Sequence, residues 1–338
     1  MRRMGTQSTP WVASSAEELL TGATRRTPLD PSDGKSGSRF ERVVIDGRPY
    51  FVKSLSHERD WIMRVTGDRD HRPLLIWRHG IMAAAPASID HTVVGMAIDG
   101  EGEACELTIL MHDVGRWLVP EGDGPVALTQ HLGFLHHLAE FSATFWGWQD
   151  HIGLTPLEHR FRFFAPDNIA PELTRPQVPV PLRVAAQGWE QLRRRAPQLH
   201  ELVRAIHDDP GPLAAALRQT PSTFLHGDWK MGNLGSHPDG RTILLDWAYP
   251  GSGPACYDLA WYLALNRARL PQTKDEAISV FRDALERQGI VTAGWFDAQL
   301  DLSLLAIMAT FAWEKAVGEE AELRWWEAAA RRGTRWLR

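Results

Sequence analysis

Ten residues in the back half of the chain constrain it more than any others. They read Leu225-His226-Gly227-Asp228-Trp229-Lys230-Met231-Gly232-Asn233-Leu234, and Ile243-Leu244-Leu245-Asp246-Trp247 follows shortly after. The pattern is His-x-Asp-x4-Asn, with a second Asp 18 residues after the first (246 − 228). Phe224-Leu225 and Thr242–Leu245 read as short apolar strands, so the polar residues between them form a loop. A fold that uses this pattern must bring the loop and the end of the second strand together. Their side chains then offer a carboxylate and an amide on one side and a carboxylate on the other. Such oxygens suit magnesium, which takes one or two protein side chains and completes its shell with phosphate oxygens and water.

Phosphoryl transfer asks for little more than this. Its transition state is loose, and catalysis consists mostly of positioning and charge neutralisation. Asp228 is the expected catalytic carboxylate, orienting an acceptor hydroxyl and taking its proton. Lys230, two residues on, reaches for the γ-phosphate. Asn233 and Asp246 are the expected metal ligands. His226 reads as a structural loop residue, and Asp258 as a structural tie between this loop and the next helix.

The front of the chain supplies a matching half. Arg39 to Ile45 and Pro49 to Leu55 read as strands, and Asp46-Gly47 between them is a strong hairpin signal. The turn-rich loop Pro31 to Ser38 precedes the hairpin, and Lys53 lies near its far end. Only five of the 37 basic residues are lysine (35, 53, 230, 274 and 315), so a lysine at a motif position is informative here. Gly34-Lys35-Ser36 is not the end of a P-loop, since Leu29 stands where that motif needs glycine. His57-Glu58-Arg59-Asp60 is not a second catalytic loop, since Val65 stands where the asparagine belongs.

Elsewhere residues 1–14 read as loose and 16–22 as a short helix. Residues 57–84 read as mostly helical, and 91–99 and 105–111 as a second strand pair. A helix follows with Leu128, Leu132, Leu135, Leu138, Phe141 and Phe145 on one face. Pro156 to Pro181 reads as an irregular connection, and helices dominate from about Asp258 onward. The expected architecture is α+β: an N-terminal extension (1–22), a small β-rich lobe (23–111) and a larger, mainly helical lobe (112–338). The length, 338 residues, suits two lobes around one cleft.

A net charge of −5 gives no reason to expect a nucleic-acid partner. No apolar run is long enough to span a bilayer, so no membrane partner is expected. The start, Met1 to Ser8, lacks an apolar signal core, and two distant cysteines, Cys105 and Cys256, make no disulfide framework. A cytoplasmic location is the expectation.

The loop and strand resemble the catalytic and metal-binding segments of the aminoglycoside phosphotransferase and choline kinase group, within the protein-kinase-like superfamily. That group's loop reads His-Gly-Asp-x4-Asn, its metal Asp is followed by Trp, and its Gly-Pro … Asp-Leu-Ala stretch matches Gly253-Pro254 and Asp258-Leu259-Ala260. The resemblance implies a two-lobed protein-kinase-like fold and a Mg2+-dependent small-molecule kinase using ATP, or GTP. It implies a nucleotide bound under the loop at Gly34 to Ser38, with Ser36, Gly37 and Ser38 near the phosphates. Lys53 then pairs the phosphates, and backbone groups at a hinge around Met111 and Asp113 meet the base. The chain departs from the group at the acidic partner of Lys53: Glu58 is close in sequence and Asp70 better spaced.

Only about a dozen residues separate Asp246 from Asp258, which leaves no room for a peptide-docking platform. A small hydroxylated acceptor is expected: an aminoglycoside, amino sugar, sugar or amino alcohol. Trp295, Trp313, Glu314, Glu319, Glu320, Glu322, Trp325 and Trp326 read as a packed face beside a solvated one, or as a site for a cationic or sugar-like ligand. A catalytically silent nucleotide-binding protein on the same fold is the alternative.

Overall fold

The computed structural model describes residues 10–29 and 36–337. The front lobe contains β1 (Val12–Ala13), α1 (Ala16–Leu19), β2 (Ala23–Pro28), β3 (Arg39–Ile45), β4 (Arg48–Ser56), α2 (Trp61–Thr66), α3 (Arg72–Arg78), β5 (Ile89–Asp90), β6 (Val93–Asp99) and β7 (Glu106–His112). Its six-stranded sheet runs β1-β6-β7-β4-β3-β2 and is antiparallel except for β1 on β6. The turn between β3 and β4 puts Asp46 and Gly47 at φ 50° and 74°. Both angles are left-handed, as the tight hairpin requires.

Residues 1–9 lie outside the described residues, but the rest of the expected extension is part of this lobe. The Trp11 carbonyl accepts from Met96 N and Trp77 Nε1. Ala13, Leu19 and Leu20 are buried with Val43, Val52, Ala97 and Leu110 on one face of the sheet. The apolar residues of 11–20 cover that face, which polar composition alone did not suggest. β2 was not expected either. It makes Lys53 a residue of the third strand in the β2-β3-β4 meander and sets the turn-rich loop between the first two.

The back lobe follows with α4 (Leu128–Thr144), α5 (Leu157–Phe161), α6 (Pro166–Leu173), α7 (Val180–Arg195), α8 (Pro197–Asp208), α9 (Gly211–Arg218), β8 (Ser222–Leu225), β9 (Leu234–Ser236), β10 (Thr242–Leu244), β11 (Gly251–Pro254), α10 (Ala255–Asn266), α11 (Lys274–Arg287), α12 (Phe296–Val317) and α13 (Glu320–Gly333). The fold is the two-lobed protein-kinase-like one. The stretch 156–181, expected to be irregular, holds α5 and α6. Pro156 is the N-cap of α5 and Pro166 opens α6, where a missing N–H costs nothing. The prolines there start helices rather than prevent them.

α12 is buried along its length and forms the axis of this lobe, packing against α7, α8, α10 and α13. The lobes meet where α2 lies on α6. Arg64 donates Nε and Nη2 to the two Glu172 carboxylate oxygens, both at 2.7 Å. Trp61 stacks on Phe163, with centroids 6.0 Å apart and planes 6° from parallel.

Candidate functional site

The loop after β8 is held from behind by α10. Asp258, in the first turn of that helix, accepts from His226 N and Gly227 N at 2.9 Å each. It is the structural tie expected from the sequence. Asn266, at the other end of the helix, accepts from Met231 N at 3.0 Å. Gly227 has φ 82°, and a Cβ there would lie 1.9 Å from the Tyr249 carbonyl oxygen, so only glycine fits. His226 is fully buried, and burial pulls its pKa down to about 3, which keeps the ring neutral.

Three donors converge on Asp228. Lys230 Nζ and Asn233 Nδ2 both donate to Oδ2, at 2.6 and 2.8 Å. Trp261 Nε1, from α10, donates to Oδ1 at 2.9 Å. Asn233 Nδ2 also donates to the Asp228 carbonyl at 3.0 Å, which turns the amide oxygen of Asn233 away from the carboxylate. Burial raises the Asp228 pKa, Lys230 opposes that rise, and the Asp246 charge adds to it.

A backbone bond from Leu245 N to Asn233 O, 2.9 Å, joins this loop to the end of β10 and so to Asp246. Asp246 has φ 60°, a left-handed angle rare outside glycine. A strained non-glycine residue held by its surroundings is a common mark of a functional position. Lys53 reaches across from the front lobe and donates to Asp246 Oδ1 at 2.7 Å. Burial alone would lower the Lys53 pKa, but the Asp246 carboxylate reverses this and raises it. Burial likewise pushes Asp246 up, and Lys53 brings it below the usual carboxylate range.

The expected residues Asp228, Lys230, Asn233, Asp246 and Lys53 are therefore one connected group. Neither Glu58 nor Asp70 pairs with Lys53 among the described residues. Its partner is Asp246, 193 positions away, with the charges of Asp60 and Asp228 also acting on it.

Gly34 and Lys35 lie outside the described residues. Ser36, Gly37 and Ser38 are pinned to the start of α2. Ser38 Oγ donates to Asp60 Oδ2 at 2.9 Å, and Trp61 N donates to Ser36 O at 3.0 Å. Gly37, at φ 99°, passes so close to Arg59 that a Cβ would lie 2.3 Å from its carbonyl oxygen. Ser36, Lys53, Asp60, Asp68 and Asp246 line one small cavity between the lobes. Met111 and Asp113 are at the end of β7 and share no hydrogen bond with the Asp228–Asp246 group among the described residues. The Asp113 side chain is engaged by Arg42 at 3.3 Å and by Gly115 N at 3.2 Å.

The acidic and aromatic residues of the last helices behave as packing. Glu314 pairs with Arg267 and Lys315, both at 2.8 Å, and Glu322 pairs with Lys274 and Lys315. Glu320 pairs with Arg195, and Trp326 is fully buried. The charges of Glu314, Glu320 and Glu322 are answered within the chain.

Sequence reasoning missed Trp261 and Asp60. Trp261 stands three residues after Asp258, one helical turn on, which is the available signal that both face the same loop. Asp60 was dismissed with the decoy at 57–60. Its N-cap role, accepting from Ile62 N and Met63 N, was legible from an Asp ahead of an apolar helix.

The segment that carries most of these residues has known counterparts. Residues 156–296 match the phosphotransferase enzyme family. The resemblance read from the loop and strand is thereby borne out, since the match spans Asp228, Asn233, Asp246 and Asp258. Among solved structures the chain is similar to choline kinase LicA from Streptococcus pneumoniae, at 12% identity and TM-score 0.53, covering 95% of each chain. It is similar to a microcompartment-associated aminopropanol kinase, at 14% identity and TM-score 0.55, covering 94% of this chain and 93% of that one. It is also similar to an amicoumacin kinase solved with AMP-PNP, Ca2+ and Ami, at 12% identity and TM-score 0.53, covering 96% of this chain and 89% of that one. At these identities the likeness is one of fold. The curated proteins give no match.

Proposed function

We propose that the protein is a small-molecule kinase, transferring the γ-phosphoryl group of ATP, or GTP, to a hydroxyl of a small acceptor. The observation that carries this is the connected group in the cleft: Asp228 under three donors, with Asp246 bound to Lys53 beside it. A non-catalytic nucleotide-binding protein has no need to keep Lys53, Asp228, Asn233 and Asp246 together. The family match supports phosphotransfer in general, and the nucleotide in the amicoumacin kinase structure supports nucleotide use.

In this reading Asp228 holds the acceptor hydroxyl and takes its proton as the acceptor oxygen attacks the γ-phosphorus. The bond to the bridging oxygen breaks, and the nucleoside diphosphate leaves. Lys53 pairs the remaining phosphates, and Lys230, whose ammonium carries three donors, meets the γ-phosphate while keeping its bond to Asp228 Oδ2. Ser36, Gly37 and Ser38 close over the phosphates, with backbone groups at Met111 and Asp113 against the base. The Asn233 amide oxygen and the Asp246 carboxylate fit Mg2+, being hard oxygens of the back lobe on two segments joined by the Leu245–Asn233 backbone bond. Among the described residues no three His, Cys, Asp or Glu side chains form a metal cage. Bound by Asn233 and Asp246, the ion supplies neutralisation of phosphate charge.

The acceptor is small because the chain after Asp246 is short and already used. Gly251–Pro254 pairs with β8, and α10 begins at Ala255. Nothing between them can dock a peptide. Aminoglycosides, amino sugars, sugars and amino alcohols are the classes to test. A cytoplasmic location belongs to the same proposal, and no helix among the described residues is long and apolar enough to cross a membrane.

The test is Mg2+-dependent transfer from labelled ATP and GTP to a panel of these acceptors, with Asp228→Asn in parallel. Transfer to one class, lost in the variant, is the expected result. Absence of any Mg2+-dependent nucleotide binding refutes the reading.

A further inference from the structure

α10 does more than carry Asp258. Its side chains meet the loop in step: Asp258 takes the amides of residues 226 and 227, Trp261 reaches Asp228, and Asn266 takes the amide of residue 231. Helix and loop run side by side. The middle contact is the only one of the three that touches a side chain of the loop rather than its backbone.

That contact fixes something the others cannot. A carboxylate oxygen has two in-plane lone pairs. On Asp228 Oδ2 both are used, by Lys230 Nζ and Asn233 Nδ2. On Oδ1 one is used, by Trp261 Nε1. The remaining lone pair of Asp228 therefore belongs to Oδ1, and its direction is set by the indole. Turning about Cβ–Cγ swings both oxygens, so the two Oδ2 donors already resist it, one of them from the end of a flexible lysine arm. The indole donor on Oδ1 restrains the opposite side of the same axis and completes the hold on the carboxylate plane.

The indole is itself held. It is 3% exposed and packs edge-on against Phe311, with ring centroids 4.8 Å apart. Tyr249 and Tyr257 lie beside it, at 5.9 and 6.2 Å. A donor locked in this way has one place to put its N–H.

We infer that Trp261 is a positioning residue for phosphoryl transfer: its indole N–H fixes the plane of the Asp228 carboxylate and so makes Oδ1 the oxygen presented to the acceptor hydroxyl. The inference rests on the kinase reading above. It extends that reading to a residue that acts through Asp228.

Trp261→Phe keeps the ring packing and removes the donor. Loss of one preorganised donor predicts a fall in kcat of about tenfold to a hundredfold. KM for nucleotide and for acceptor should stay within about twofold, because ground-state binding does not use the rotation. Phe311→Leu loosens the ring's packing but keeps the N–H, and should leave kcat near the parent's. An equal loss in both variants would make the effect one of packing and overturn the inference, as would unchanged kcat in Trp261→Phe.

A second readout needs no activity. In 1H–15N spectra the indole cross-peak lost in Trp261→Phe should lie downfield in the parent and move upfield in Asp228→Ala. A cross-peak indifferent to Asp228 overturns the inference even if the enzyme is active. A shifted cross-peak in a protein with no transferase activity would instead place the failure in the kinase reading.

Discussion

Asp258 offers a direct measure of how firmly the loop is held. It is 1% exposed, and burial holds its pKa up to about 6, with Arg160 easing the charge. At pH 7.5 it is ionised and accepts two buried amides, from His226 and Gly227. Replacement by alanine leaves both amides without an acceptor, at about 1–3 kcal/mol each. It also takes the nearby negative charge from Arg160, whose side chain is fully buried. We expect Asp258→Ala to lose about 4 kcal/mol. Asp258→Asn keeps one acceptor oxygen, turns an N–H toward the second amide, and no longer buries a charge, so we expect a loss of about 1–2 kcal/mol. Equilibrium urea unfolding at pH 7.5, followed by tryptophan fluorescence, measures both. A cost below about 1 kcal/mol for alanine, or equal costs for the two variants, would refute the view that these amide bonds hold the loop.

Gly227→Ala meets both a left-handed φ and a carbonyl oxygen 1.9 Å from the new Cβ. Activity should be abolished and stability lowered by about 3 kcal/mol or more, read by thermal unfolding. Arg64→Ala leaves the buried Glu172 carboxylate only its 3.2 Å bond from the half-exposed Arg175 and should cost about 2–3 kcal/mol, while the double variant with Glu172→Ala should recover part of it in a mutant cycle. His131 is fully buried, shares a 2.9 Å hydrogen bond with the Tyr262 hydroxyl, and burial pulls its pKa down to about 4. A base depressed in the folded state contributes stability above its unfolded pKa near 6.5, and that stability is lost as pH falls toward 4. Between pH 7.5 and 5 the His131 share of the loss should be about 1–2 kcal/mol, and His131→Gln should remove that share from the slope in urea titrations while the share of buried His226 remains.

The side chains that meet in the cleft were legible along the chain because the motifs that carry them are local. His-x-Asp-x4-Asn sets loop geometry within eight residues, 226 to 233. Asp46-Gly47 specifies its own turn, and an apolar strand ending in Asp246 announces a carboxylate at a strand end. These signals depend on neighbours in sequence, so they survive without a fold. The short run from Asp246 to Asp258 was equally plain, and the structure fills it with β11 and the start of α10.

What the sequence could not decide was which distant side chains meet. Lys53 has acidic residues closer in sequence, yet its partner is Asp246, because β4 and the end of β10 face each other across the cleft. The glutamates of α12 and α13 read equally as a packed and solvated face or as a ligand site, and folding set Arg267, Lys274 and Lys315 against them. Trp261 reads as one more apolar residue of a buried helix. Only the packing of α10 along the loop turns its N–H onto Asp228. Periodicity tells which face of a helix is buried, but a hydrogen-bond partner is chosen by the element lying opposite, and that choice is made by the tertiary structure.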